Sequence, residues 1–168
     1  WKSDEFTPNG ILTFPPDFDP AKKYPLVLEP HGGPRSTSKE SFNTSTQLKA
    51  AHGYIVFQPN YRGSDNMGYR FSESINGDAG EGPGRDVMKG LAELKKRSYI
   101  DTTNIAVTGW SYGGFMSSWI VGHTDRFKVA SIGAPVVDLS HQNLTDDIEG
   151  FLPSYFKANP WDDWSKYD

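Results

Sequence analysis

Gly109-Trp110-Ser111-Tyr112-Gly113 sets a serine between two glycines, with the β-type run Ile105-Ala106-Val107-Thr108 directly before it. After it, Phe115, Met116, Trp119 and Ile120 recur at helical spacing. A serine on so tight a strand-to-helix turn holds its hydroxyl clear of the chain, at the carboxyl edge of a sheet where crevices bind ligands. The turn has no room for side chains two residues either side, so Gly109 and Gly113 fit it, and Gly114 adds clearance for the helix. The chemistry open to such a serine is attack on a carbonyl carbon. Backbone N–H groups at the helix start then face the oxyanion that develops.

A second element serves the same chemistry. His31-Gly32-Gly33-Pro34 follows the apolar run Tyr24-Pro25-Leu26-Val27-Leu28-Glu29, and its glycines allow the backbone to approach a substrate carbonyl. The oxyanion donors are assigned as the N–H of Tyr112 and the N–H of Gly33, with Gly32 shaping the turn. His31, Gly32, Trp110 and Arg62 are candidate substrate-pocket residues. Arg62 and Asp65 are read first as pins for the loop over the site. Asp86 is read as a charge that suits a helix start.

These residues need a scaffold, and the apolar pattern supplies one. Short β-type runs at Ile11–Phe14, Tyr24–Glu29, Tyr54–Gln58, Ile105–Thr108 and Val129–Ala134 alternate with helical periodicity, as in a βαβ sheet protein. Pro15-Pro16 ends the first run, which marks an edge strand. A helix is predicted over 38–51, with Phe42, Leu48 and Ala51 inward and Gly53 as its stop. The Gly-rich stretch 63–84 reads as a long ordered loop. A helix from Arg85 follows, with Val87, Leu91 and Leu94 in one stripe beside Met88 and Ala92. The tail from Leu139 is polar and aromatic, with helical tendency near 145–151. The fold class is α/β, a mostly parallel sheet with helices on both faces, and the serine elbow makes it an α/β-hydrolase fold.

Composition bounds the alternatives. The 168 residues suffice for one domain and not two, and a net charge of −4 offers no field for nucleic acid or anionic membrane. Lys95-Lys96-Arg97, the one basic run, falls where a helix ends and cations suit the dipole. No apolar run reaches membrane-span length and no signal peptide is visible. With no cysteine, disulfides and thiolate sites are excluded, while the compartment stays open with a lean to the cytoplasm. No histidine pair has metal-ligand spacing, so neither metal nor cofactor is expected.

The set H-G-G-P, then F-Q-P-N-Y-R-G-S, then G-D-A-G-E-G-P-G-R-D-V, then G-W-S-Y-G-G-F-M resembles the prolyl oligopeptidase family of serine peptidases. Its acylaminoacyl-peptidase and dipeptidyl-peptidase-like branch is the nearest in pattern. The resemblance runs from Trp1-Lys2-Ser3 to Asn159-Pro160-Trp161. It implies cleavage of short peptides through an acyl-enzyme, with ester substrates also open. Some members carry, where His31 stands, a tyrosine whose hydroxyl assists the oxyanion; with His there, the backbone donors carry more weight.

A serine nucleophile also needs a base and an acid to orient it, in the chain order Ser, Asp, His. Only 57 residues follow Ser111, fewer than the resemblance requires for both. His141 and Asp138 follow the last predicted strand, but that spacing in a loop does not make a base–acid pair. His52 falls at the opposite sheet edge, and His123 ends the helix that leads away from the serine. The chain is therefore expected to be residues 1–168 of a partial catalytic domain, cut before its last strands. Phe151, Tyr155, Phe156, Trp161 and Trp164 then have little core to enter. A partner segment is expected: the remaining carboxyl-terminal part, a second chain, or self-association. The competing expectation is an inactive fragment that serves as a binding or assembly module.

Overall fold

The computed structural model describes residues 1–148 and 150–167. Five strands form one sheet: β1 (Asn9–Thr13), β2 (Tyr24–Leu28), β3 (Ile55–Asn60), β4 (Ile100–Trp110) and β5 (Val129–Gly133), in the order β1-β3-β2-β4-β5. β1 runs antiparallel to β3, pairing Asn9 with Asn60 and Thr13 with Val56; every other pairing is parallel. Pro59, which lacks a donor N–H, sits on β3 opposite Gly10 of the edge strand β1.

Two helices occupy the face behind the serine. α3 (Glu81–Leu94) and α4 (Tyr112–His123) pack on each other, and α4 also packs on β4 and β5. α1 (Thr44–Ala51) packs on β3 and β1. The β2-to-β3 and β3-to-β4 crossovers run in opposite directions across the sheet, so right-handed connections place α1 on the other face. Leu26, Leu28, Ile55, Phe57, Val87, Leu91, Ile105, Val107, Met116 and Ile120 form the buried core. Reversal of crossover direction makes the gap beyond β2 and β4 the switch point, where open α/β sheets bind ligands.

Several elements depart from the sequence reading. α1 begins only at Thr44, because the Asn43 side chain accepts from the Thr46 N–H and caps it there. Its inward residues are Thr46 and Ala50, one turn apart, while Phe42, Leu48 and Ala51 face outward. Gly53 does terminate the helix, with φ +87°. The stretch 63–84 is not one loop: α2 (Tyr69–Glu73) buries Phe71, and α3 starts four residues before Arg85. Pro83 lies in the first turn of α3, where a missing N–H costs nothing, and the Asp78 carboxylate accepts from Gly82 N–H. Glycine is there for clearance: a Cβ on Gly82 would stand 2.7 Å from Arg62 Cδ, and one on Gly84 would strike the Trp119 ring.

The tail folds as α5 (Leu139–Thr145) and α6 (Phe151–Phe156), with a 3₁₀ turn at Trp164–Lys166. The helical tendency near 145–151 is thus split, and residue 149 lies outside the described residues. Tyr155 and Phe156 do find a core: Leu152, Phe156 and Tyr167 form a second buried cluster against Ala79, Leu139 and Phe151. Trp161 and Trp164 stay exposed. β5 is the last strand of the sheet, and Val129 on it is 60% exposed. Among the described residues, no helix is long and apolar enough to cross a membrane.

Candidate active site

β4 ends at Trp110 and α4 begins at Tyr112, so Ser111 makes the whole turn by itself. It does so at φ 58°, ψ −123°, a conformation an L-residue adopts only under constraint. The constraint is contact on all sides. A Cβ on Gly109 would strike the Gly113 carbonyl, one on Gly113 would strike that of Pro30, and one on Gly114 would strike that of Gly133. Ser111 N–H donates to Gly133 O at 3.1 Å, and Ser111 O accepts from Phe115 N–H at 2.9 Å. The result is a serine exposed at the sheet's carboxyl edge.

The His31-Gly32-Gly33 loop lies directly against this elbow. A Cβ on Gly32 would stand 3.0 Å from Trp110 O and 3.5 Å from Ser111 Cβ. Gly33 has φ +122°, open to glycine and strained for any other residue. Tyr112 is the first residue of α4, so its N–H has no helical acceptor. Gly33, Ser111 and Tyr112 line one small cavity of about 40 Å³. Its remaining wall is mostly apolar: Pro34, Ile75, Ala79, Phe115, Val136, Leu139, Phe151, Leu152, Tyr155 and Phe156, with Gln142 the polar exception. Sequence reasoning missed these residues. The one available signal is the aromatic density of the tail, which the sequence leaves with little core to enter.

The other candidates fall elsewhere. Trp110 is 71% exposed and lines a separate surface groove with His31 and Gly32. His31 turns its ring onto Tyr61, at 4.5 Å between centroids and 16° between planes. Its Nδ1 lies 2.7 Å from Gly32 O and its Nε2 lies 2.8 Å from Ser64 Oγ. Burial holds the His31 pKa below its usual value, opposed by the Gly32 carbonyl and by Asp65. Tyr61 donates its hydroxyl to the His31 carbonyl, and Tyr112 donates its own to Ala79 O; burial pushes both phenols up.

Arg62 is outside the cavity wall, and its side chain is engaged in ion pairs. Its backbone N–H and Nε donate to Asp86 Oδ2 at 2.8 and 2.9 Å, and Nη2 donates to Asp86 Oδ1 at 2.7 Å. Nη2 also reaches Asp4 at 2.7 Å, a carboxylate that Arg85 and Lys89 approach as well, so Asp4 titrates well below the usual range. Asp86, expected to serve a helix start, is instead fully buried and committed to Arg62. The pinning expected of Asp65 takes the form of a bond from the Thr37 hydroxyl and an N–H donated to Ser36 O.

No histidine or carboxylate among the described residues hydrogen-bonds Ser111. Asp138 caps α5, accepting from His141 N–H at 2.7 Å, and His141 is exposed. His123 stacks on Trp119 at 3.8 Å, and His52 closes α1. Among the described residues no acidic, cysteine and histidine cluster could hold a metal ion.

A mostly parallel sheet with a strained serine elbow at its carboxyl edge, faced by a glycine loop, defines an α/β hydrolase. Comparison with known proteins narrows the class. Residues 40–168 match the model of the prolyl oligopeptidase family, and the chain belongs to that family. It is 40% identical over 139 residues to dipeptidyl-peptidase 5 of Porphyromonas gingivalis, a match covering 81% of this chain and 20% of that protein. It superposes on the acylaminoacyl peptidase of Pyrococcus horikoshii with TM-score 0.89 and 26% identity, over 99% of this chain and 27% of that one. A putative dipeptidyl aminopeptidase IV from Bacteroides ovatus gives TM-score 0.76 at 30% identity, over 94% and 22%. The chain thus spans about a fifth of the length of the curated relatives it matches.

Proposed function

We propose that the chain is the nucleophile-bearing part of a serine peptidase domain that cleaves short peptides through an acyl-enzyme on Ser111. The observation that carries this reading is the shared cavity: a strained, exposed serine beside two backbone donors and an apolar pocket. Ser111 Oγ attacks the scissile carbonyl and its proton passes to a base. The resulting oxyanion accepts from the N–H groups of Tyr112 and Gly33. Collapse expels the amine and leaves an ester on Ser111, which water hydrolyses. The pocket suits an apolar side chain next to the scissile bond, and an ester of such a residue would react likewise. The names of the relatives favour release of a dipeptide or an acylated residue from the amino end.

Base and acid come, on this reading, from polypeptide outside the described contacts: a further carboxyl-terminal segment, a second chain, or a second copy. One observation favours the alternative, an inactive module that binds or assembles. The sheet face of β4 and β5 away from α4 carries a groove lined by Val27, Ala106, Thr108, Val129 and Ser131, with Trp110 exposed beyond it. Hydrolysis of chromogenic dipeptidyl and acylaminoacyl substrates by the natural polypeptide carrying these residues separates the two. Turnover that Ser111→Ala abolishes supports the peptidase. Absence of turnover from a polypeptide well above 18.7 kDa supports the module.

A further inference from the structure

Two Asn-Gly pairs occur in the chain, Asn9-Gly10 and Asn76-Gly77. With no Cβ on the glycine, its backbone nitrogen is open to approach by the asparagine side chain. The fold treats the two pairs differently. Asn9 lies in β1, paired residue by residue with β3, and its Oδ1 accepts from Asn60 and Asn66. Asn76 lies in the turn after α2, ahead of an exposed Gly77 with φ +77° and open space where a Cβ would stand. Asn76 Oδ1 is buried and has no hydrogen-bond partner among the described residues. Its Nδ2 donates to Glu73 Oε2 at 2.7 Å. Glu73 pairs with Arg35 at 2.6 Å, and the Arg35 guanidinium stands 5.1 Å over the Tyr155 ring. Tyr155 O in turn accepts from the Gly77 N–H at 3.0 Å, which closes a ring of contacts from Asn76 back to Gly77. Ile75, Ala79 and Tyr155, on or beside this ring, form one side of the cavity next to Ser111.

We propose that Asn76-Gly77 is a deamidation site guarded by α6, and that its reaction unlocks the cavity wall. The Gly77 nitrogen gives its proton to solvent base and attacks Asn76 Cγ. A C–N bond forms, the Cγ–Nδ2 bond breaks, and ammonia leaves with a proton returned from water. Water then opens the succinimide at either carbonyl, leaving aspartate or isoaspartate. While the Gly77 N–H is donated to Tyr155 O, that nitrogen can neither lose its proton nor turn toward Cγ, so attack waits for a local opening of α6. Either product puts a carboxylate where the amide donated to Glu73, and like charges so close repel. Isoaspartate also adds one carbon to the backbone just before Gly77, which carries the N–H away from Tyr155 O. The chemistry needs only water, and it is the same whether or not Ser111 turns over a peptide.

Trypsin releases Asn76 as the sole asparagine of Phe71–Arg85 and Asn9 as the sole asparagine of Ser3–Lys22. The natural polypeptide carrying these residues is held in mildly alkaline buffer, and both peptides are followed by mass spectrometry and isoaspartyl methyltransferase labelling. Asn76 should deamidate first, about tenfold or more ahead of the strand-held Asn9, with isoaspartate among the products. Equal rates, or Asn9 ahead, overturn the proposal. Leu152→Ala loosens the cluster that seats α6 and should speed Asn76 by about tenfold or more while leaving Asn9 unchanged. An unchanged Asn76 rate in that variant overturns the guard. Should the variant not fold, urea below the unfolding midpoint gives the same reading on wild type. The Asn76 rate should then rise with urea, less steeply than global unfolding does, and a flat response overturns the guard. Hydrogen exchange reads the unlocking: the Gly77 amide, protected in unmodified protein, should exchange freely in the deamidated fraction, and retained protection overturns it.

Discussion

Asp86→Ala removes the partner of a buried cation, and its cost can be worked from contacts. Asp86 is fully buried and accepts three bonds from Arg62, at 2.7, 2.8 and 2.9 Å. The Arg62 side chain is 8% exposed, so without Asp86 its guanidinium stays out of water with Asp4 as its one anionic partner among the described residues. Breaking a buried pair from one side costs about 3–5 kcal/mol, against about 5–15 kcal/mol for a whole domain. With a urea slope of about 2–3 kcal/mol per molar, the midpoint should fall by roughly 1–2.5 M. Removing both charges in Arg62→Met/Asp86→Leu should recover part of this, because apolar replacement of both partners is near neutral. Recovery stays incomplete, since the Arg62 N–H also loses its acceptor, at about 1–3 kcal/mol. Urea unfolding followed by tryptophan fluorescence measures all three. A single variant within about 1 kcal/mol of wild type would refute the reasoning.

Further outcomes follow from the same contacts. The His31 pKa is lowered in the fold, so the folded state disfavours the charged ring; stability should fall as pH drops from about 6.5 toward the folded value, as the unfolded chain takes up the proton. The wild-type minus His31→Phe difference in unfolding free energy, measured from pH 7.5 to 5, should carry that slope, and a flat difference contradicts it. Asp4→Asn removes a carboxylate at the protein surface, and despite three cationic neighbours it should cost less than about 1 kcal/mol at neutral pH; its effect should vanish in acid below the Asp4 pKa. Gly113→Ala drives a Cβ into the Pro30 carbonyl and should abolish reaction at Ser111, which a covalent serine probe would register. Ala79→Leu fills the cavity wall and should lower kcat/KM for bulky apolar side chains more than for alanine, as read across a substrate series.

The parts of the site that sequence made legible are those where backbone sterics dictate residue type. Gly109, Gly113 and Gly114 have no space for a Cβ, so the elbow is written in composition, and the strand before it and helix after it follow from period. The loop holding Gly33 could be placed for the same reason. Tyr61 was illegible, because its function depends on the rings of His31 and Tyr112 meeting it across the fold. Arg62 and Asp86 are 24 residues apart, and nothing local announces their pairing. Glycine misled in 63–84: abundance suggested a loop, whereas Gly82 and Gly84 are small so that α3 can press against Arg62 and Trp119. In α1, Phe42 and Leu48 suggested an inward stripe, but the Asn43 cap sets the start and turns Thr46 and Ala50 to the sheet.

The central claim is that Ser111 is a nucleophile held beside an oxyanion site. Reaction of the natural polypeptide with a fluorophosphonate, followed by peptide mass mapping, tests it most directly. Modification at Ser111, lost in Ser111→Ala, is the expected result. An unmodified Ser111 in a folded polypeptide that also carries an acid and a base after residue 168 would contradict the claim.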